Sequence, residues 1–337
     1  MSTVQDTAPE GTALASPARK TIDLPLAASL AMLALLIVVP IFLKNFVVFQ
    51  LTIIVIYAIA ILSLNILTGA SGQVSLGHSA FFAAGAYAAG ILMEHANVPY
   101  PIAIPIAGAV CFVFGFLFGL PALRLKGVYL ALATFALAVA MPQLLKLGTF
   151  EHWTGGVQGL LITKPETPFG LGISQDRYLY YMVLAIALLI YLLSVNLLNS
   201  RTGRAMMAIR DNEIAASSMG VNLALYKTLA FGISAGITGI AGALGAIVVA
   251  YVAPDGYTFN FAIALFLGMV IGGVGWLPGS LAGAAFIVFV PNLSEEISKG
   301  LSGAVFGVFI IAVIFLLPNG ARQLAYSLQA QIKKLVR

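Results

Sequence analysis

Ten stretches of this chain contain no Asp, Glu, Lys or Arg: 24–43, 47–67, 79–93, 102–120, 127–145, 178–198, 228–252, 261–277, 279–291 and 303–318. One such charge at the centre of a bilayer helix costs about 2.5–3.5 kcal/mol. The chain is 61% hydrophobic and 9% charged, whereas a soluble domain carries roughly a quarter charged residues. It cannot cover a water-facing surface. In hydrocarbon every backbone N–H and C=O must be satisfied internally, which leaves helices for apolar runs of this kind. The pattern predicts an all-α, polytopic transmembrane helical bundle of about ten spans.

The Lys and Arg residues set the orientation. With the N-terminus in the cytoplasm, twelve fall inside: Arg19, Lys20, Arg124, Lys126, Arg201, Arg204, Arg210, Lys227, Arg322, Lys333, Lys334 and Arg337. Five fall outside: Lys44, Lys146, Lys164, Arg177 and Lys299. The asymmetry predicts both termini inside. It also accounts for the net charge of +5 without nucleic-acid binding. Residues 1–20 read as a disordered cytoplasmic tail, 21–320 as the transmembrane domain and 321–337 as a basic cytoplasmic tail. The first span is expected to stay as an uncleaved helix, because no small-residue cleavage site follows it. The one cysteine, Cys111, lies in an apolar span, so there is no disulfide framework.

Two spans look too short to cross alone. Span 79–93 has 15 residues, or about 22 Å at 1.5 Å per residue, against a hydrocarbon core of about 30 Å. Span 279–291 is shorter still. Each follows a Gly-rich break. The first holds Gly69, Ser71, Gly72, Gln73, Ser75, Gly77 and His78; the second holds Gly272, Gly273, Gly275 and Ser280. Irregular backbone at membrane depth is tolerated where it is buried in protein or lines a wet cavity. Broken helices are one way in which transporters hold small polar substrates. These eleven residues are the candidate translocation pathway. The breaks lie about 205 residues apart and share a Ser-Leu step, as a worn repeat would. The plainer role for any one glycine is close helix packing, and for His78 a structural hydrogen bond. His95 and His152 fall in external loops, where they are expected to be solvated. No His, Cys and carboxylate set has metal-ligand spacing. The external loop 146–177 holds Trp153, which fits an interfacial anchor or a docking surface for an external binding protein.

One charged interruption of any size lies between spans, at 199–227. Asp211 and Asn212 are good helix N-caps, and Glu213 sits where the helix dipole favours an anion. Gly220 suits the C′ stop. The pattern predicts a short cytoplasmic helix over about 213–219, with Ile214, Ala215, Ala216 and Met219 as a small apolar face. Such a helix can seat in a partner's groove; the alternative is an ordinary positive-inside loop. The chain has no Gly-Lys dipeptide and therefore no phosphate-binding Walker A loop. The spans hold no carboxylate, so a proton-coupled secondary transporter would rest on His78. Sodium coupling through carbonyls stays open. No nucleophile–base pair or metal set points to a membrane enzyme.

The spacing Glu213-x-Ala215-Ala216-x3-Gly220 resembles the loop by which ABC importer permeases dock onto their ATPases, with Ile214 as one extra residue. The wider stretch 203–227 is similar to one subfamily, the LivM-type permeases of high-affinity branched-chain amino acid importers. So are 67–87, with Gly-Gln-Val-Ser-Leu-Gly-His at 72–78, and the blocks 127–134 and 236–244. The resemblance covers roughly 50–320. It implies a multi-pass subunit of the bacterial cytoplasmic (inner) membrane that carries leucine, isoleucine or valine. Its implied partners are a LivH-type permease, two cytoplasmic ATPases that bind ATP and Mg, and a periplasmic or lipid-anchored binding protein. Arg204, Arg210, Asp211, Glu213, Ala215, Ala216 and Gly220 would form the ATPase coupling site. This chain itself would hold no cofactor and no metal. Related permeases for urea, short amides or other amino acids share the 72–78 block, so the substrate stays open within that group.

Overall fold

The computed structural model describes residues 24–125, 127–167, 174–297, 301–316 and 320–323. The 1–20 tail, Lys126, Lys299 and 324–337 of the basic tail lie outside the described residues. Each of the ten apolar stretches carries a helix. In chain order these are α1 (Leu24–Phe42), α2 (Asn45–Leu64), α3 (His78–Glu94), α4 (Tyr100–Ala122) and α5 (Val128–Leu145). A single turn, α6 (Glu151–Thr154), precedes α7 (Gln175–Asn199). The charged interruption folds as α8 (Arg201–Asp211) and α9 (Glu213–Ser218). Then come α10 (Leu223–Val249), α11 (Phe259–Gly272), α12 (Gly279–Ile297) and α13 (Ser302–Leu316). Among the described residues five helices are long and apolar enough to cross a membrane: 45–70, 100–122, 128–145, 175–199 and 223–249. The chain is an all-α membrane protein with one small addition, a two-stranded ribbon.

α4 shows how the sequence divides lipid from core. Ile102, Ile106, Val110, Val113, Leu117 and Leu120 recur at three- and four-residue steps and are all exposed. Wetting such side chains would forfeit about 1.5–3 kcal/mol each, so this stripe suits lipid or an apolar partner. The opposite face carries Ala103, Ala107, Cys111, Gly115, Gly119 and Ala122, all buried. These small residues let α10 approach, and α10 is buried around most of its circumference against α4, α3 and α2. At Gly85 of α3 a Cβ would fall 2.1 Å from the carbonyl oxygen of Gly239 in α10. Packing of small residues, rather than interdigitated large ones, makes this core.

Of the two expectations about length, one needs correction. α12 does not stop at Pro291 but runs to Ile297, 19 residues or about 28 Å. Proline removes one ladder bond, a loss that membrane helices tolerate where neighbours re-satisfy the freed group. The short member of that pair is α11, 14 residues or about 21 Å, which ends where Gly273 turns the chain at φ +105°. α3 is also short, at 17 residues or about 25 Å.

At the end of the bundle opposite α8 and α9, residues 146–167 fold back on the helices. Its β1 (Leu160–Leu161) pairs antiparallel with β2 (Tyr251–Val252), Leu160 opposite Val252. Lys146 pairs with Asp255 at 2.5 Å, and Glu94 accepts a hydrogen bond from the Thr163 N–H at 2.9 Å. His95 and His152 are exposed but not merely solvated. Their rings lie 5.2 and 5.5 Å from that of Trp153, and His95 Nε2 is 3.1 Å from the His152 carbonyl oxygen.

Candidate functional site

The charged segment is a rigid elbow because each of its ends is capped. Ser200 accepts a bond from the Gly203 N–H at the start of α8. Asn212 Oδ1 accepts from the Ile214 and Ala215 N–H groups, each at 3.0 Å, and opens α9. Asn212 is thus the cap, while Asp211 is held by Arg210. Gly220, at φ +81°, closes α9. Its N–H donates to the Ser217 carbonyl at 3.0 Å and that of Val221 to the Ala216 carbonyl at 3.1 Å, the paired bonds of a Schellman stop. Asn222 then caps α10 through the Leu225 N–H. Arg204 Nη1 donates to the Asn199 carbonyl at 2.8 Å and closes the end of α7.

The face that α9 presents differs from the sequence expectation. Ala216 is only 5% exposed and packs inward, whereas Ile214 and Met219 are 80% and 86% exposed. Ala215 is exposed too. A six-residue helix must use one side to hold itself to the chain. The available outward face is therefore Ile214, Ala215 and Met219.

This elbow touches the first Gly-rich break directly. α2 continues through a π-helical turn, Asn65–Ala70, before the chain leaves the helix. Arg210 Nη1 donates to the Gly69 carbonyl at 2.8 Å, while its Nε and Nη2 hold Asp211 Oδ1 at 3.0 and 2.8 Å. A cation at a helix C-terminus, bonded to a terminal carbonyl, is favoured by the dipole. Here the cation comes from α8. Gly72, at φ +72°, leaves room for the arginine: a Cβ there would lie 2.9 Å from Arg210 Cγ. Gln73 Nε2 donates to Ser71 Oγ at 2.9 Å and to the Lys227 carbonyl at 3.2 Å. Lys227 Nζ pairs with Glu213 Oε1 at 2.5 Å, with the side chains 11% and 33% exposed. A polar cavity of about 170 Å³ lies among Gln73, Arg210, Glu213 and Lys227.

The second break abuts the first. Asn65 Oδ1 accepts from the Gly275 N–H at 2.9 Å, and Asn65 Nδ2 lies 3.4 Å from Ser280 Oγ. A Cβ at Gly69 would fall 2.6 Å from the Gly275 nitrogen. Gly273 and Gly275 both take positive φ in the turn, and Gly272 packs against the Gly279 carbonyl. Asn65 is absent from the sequence-derived set. Its signal was faint: Asn65 and Asn196 are the two Asn residues within the ten apolar spans, each two residues from a span end, and only Asn65 stands in the turn before Gly69.

Ser75, Gly77 and His78 act as a tie between helices. His78 Nε2 is 2.8 Å from Ser234 Oγ of α10 and its Nδ1 3.2 Å from Ser75 Oγ. Ser234 donates to the Ser63 carbonyl of α2, and Ser63 Oγ lies 2.6 Å from Thr238 Oγ1. Gly77 packs against Thr134 of α5, whose hydroxyl accepts from the Leu76 N–H at 2.9 Å. Both ring nitrogens of His78 are therefore engaged by hydroxyls. Among the described residues no group of three His, Cys, Asp or Glu is placed to hold a metal.

The family described as branched-chain amino acid transport system / permease component matches residues 46–317. The high-affinity branched-chain amino acid transport system permease protein LivM of Salmonella typhimurium is 31% identical over 287 residues, 78% of this chain and 67% of that protein. LivM of Escherichia coli matches with the same identity and coverage. A probable branched-chain amino acid transport permease protein LivM of Methanocaldococcus jannaschii is 28% identical over 238 residues, 65% of this chain and 67% of that protein. No solved structure matches the chain. The chain belongs to the family of branched-chain amino acid transport permeases.

Proposed function

We propose that this chain is a membrane subunit of an ATP-driven importer that moves leucine, isoleucine and valine across the cytoplasmic membrane. In this reading it crosses ten times, with both termini in the cytoplasm. A second permease of the LivH type completes the pathway, two cytoplasmic ATPases supply ATP binding and hydrolysis, and an external binding protein delivers substrate. α9 is the handle. The observation that carries the reading is the direct bond from the elbow to the first break, Arg210 to the Gly69 carbonyl at 2.8 Å.

Closure of the ATPases would press on the exposed Ile214, Ala215 and Met219. The caps on either side keep α9 from melting, so the push passes to α8 and, through the Glu213–Lys227 pair, to the start of α10. Arg210 carries it to the end of α2. A small displacement there biases the two abutting breaks between inward- and outward-open arrangements, which is linkage through one bistable element. The pathway residues are Gly69, Ser71, Gly72, Gln73, Ser75, Gly77, His78, Gly272, Gly273, Gly275 and Ser280. Contacts along it need only be weak, since affinity resides in the binding protein.

Uptake of labelled leucine into vesicles with an ATP supply and collapsed ion gradients tests this. The expected result is uptake that depends on ATP and survives loss of the gradients. Uptake that disappears with the gradients assigns the chain to secondary transport instead.

A further inference from the structure

At the far end of α10 from the elbow lies a second cavity of opposite chemistry. α10 begins at Leu223 beside α9 and ends at Val249, about 40 Å away along its axis. The cavity there has a volume of about 330 Å³ and is lined by Ile53, Ile56, Tyr57, Phe82, Tyr257 and Phe261, among others. Four of these are rings in mutual contact: Phe261 lies 5.1 Å from Phe82 and 5.3 Å from Tyr57, and Phe82 lies 5.7 Å from Tyr257. Among the described residues no charged side chain lines it. Its size is at the lower end of the range for small-molecule sites, which are mostly apolar with a few polar groups.

Two features make it a built chamber. Gly245 of α10 lines it, and a Cβ there would come within 3.1 Å of Phe82 Cζ, so the glycine keeps that ring seated beside open space. Polar groups are also available. Tyr251 is committed, its hydroxyl donating to the Gln158 carbonyl at 2.6 Å. Among the described residues neither the Tyr57 nor the Tyr257 hydroxyl has a hydrogen-bond partner in the protein.

We infer that this chamber is a substrate way-station that takes the aliphatic side chain of a zwitterionic amino acid on its way through the bundle. The inference rests on the import reading above and narrows it. Aromatic and branched walls reward buried methylenes, so a four-carbon side chain gains where urea or a short amide would not. The Tyr57 and Tyr257 hydroxyls can meet the ammonium or carboxylate without a fixed charge that would trap the substrate. Tyr57, which lines the chamber, stands 12 residues from Gly69 along α2 and its π-helical continuation, about 18 Å, so this segment joins the chamber to the first break.

The test uses the complete importer with its partner subunits, reconstituted in vesicles, with uptake normalised to co-purified complex. Val249→Trp fills the chamber from α10, where Val249 lines the rim and is exposed. Gly256→Trp fills it from the solvent side, where a Cβ meets nothing within 4 Å, so the backbone need not shift to admit the substitution. One methylene in a hydrophobic pocket is worth about 10–200-fold in selectivity. Each filled variant should therefore lower leucine uptake by about tenfold and valine uptake by less, with the same binding protein present. Tyr257→Ala should move the preference toward a larger side chain, phenylalanine over leucine. Variants that assemble and keep both the rates and the leucine-to-valine ratio of the parent overturn this inference and leave the import reading standing. A parent complex that moves no branched-chain amino acid overturns the import reading, and this inference with it.

Discussion

The two Gly-rich breaks look alike in sequence and are built differently. The first, after α2, is tied to the charged elbow by side chains: Arg210 on the Gly69 carbonyl, and Gln73 on the Lys227 carbonyl. The second, between α11 and α12, is closed by backbone against backbone, Gly272 on Gly279, with Asn65 reaching across from the first. A joint held by long polar side chains can be re-set by moving the element that carries them. A joint held by close backbone contact moves as a unit with its neighbours. The first break is therefore the place where a push on α8 and α9 would be felt, and the second is the surface against which it works.

Breaking the polar joint should have the largest effect. Glu213→Lys sets two cations together at a half-buried site, where Lys227 now pairs at 2.5 Å. Breaking a buried pair costs about 3–5 kcal/mol; with the exposure of Glu213 discounted, about 1–2 kcal/mol is expected. A thermal melt of the purified chain should show it, and the charge-swapped double variant with Lys227→Glu should recover most of the loss. Asn65→Ala tests the bridge between the breaks. It leaves the part-buried Gly275 N–H without its acceptor, for a loss at the low end of the cost of an unsatisfied group, about 1 kcal/mol, and should lower the melting temperature without changing which ATPase is captured. If Asn65→Ala is neutral, the two breaks are not linked as described. The smallest effect on stability belongs to Ile214→Ser. That residue is 80% exposed, and surface changes usually stay within about 0.5 kcal/mol. Co-purification of the ATPase should nevertheless fall sharply. Retention of the ATPase would show that the outward face of α9 is not where it seats.

What was legible in the sequence was local. Asn212 and Gly220 declare a cap and a stop within a few residues of the helix they bound, and both hold those places. The apolar runs likewise marked every long helix. Contacts between distant residues left no such mark. Asn65 meets Gly275 across 210 positions, and nothing beside either residue points to the other. Pro291 reads locally as a stop, yet α12 continues to Ile297 because its surroundings tolerate the missing bond. Ala216 and Ala215 are indistinguishable as small residues on one short helix. Only the packing beneath α9 decides that Ala216 is the one turned inward. The β1–β2 ribbon is two residues long on each side, too short for a period to show.

Arg210 is the link on which the coupling proposal stands: its guanidinium reaches inward to the Gly69 carbonyl, while the outward face of α9 is Ile214, Ala215 and Met219. In the reconstituted importer, ATP hydrolysis and leucine uptake should be measured in the same vesicles for the parent and for Arg210→Ala. The side chain is a partly exposed latch, so assembly and ATPase binding should persist. The predicted result is uncoupling: hydrolysis within about twofold of the parent, while uptake per ATP falls about tenfold, the size of one charge-assisted hydrogen bond of about 1.5 kcal/mol. Uptake per ATP unchanged in an assembled Arg210→Ala complex would contradict transmission from the elbow to the first break.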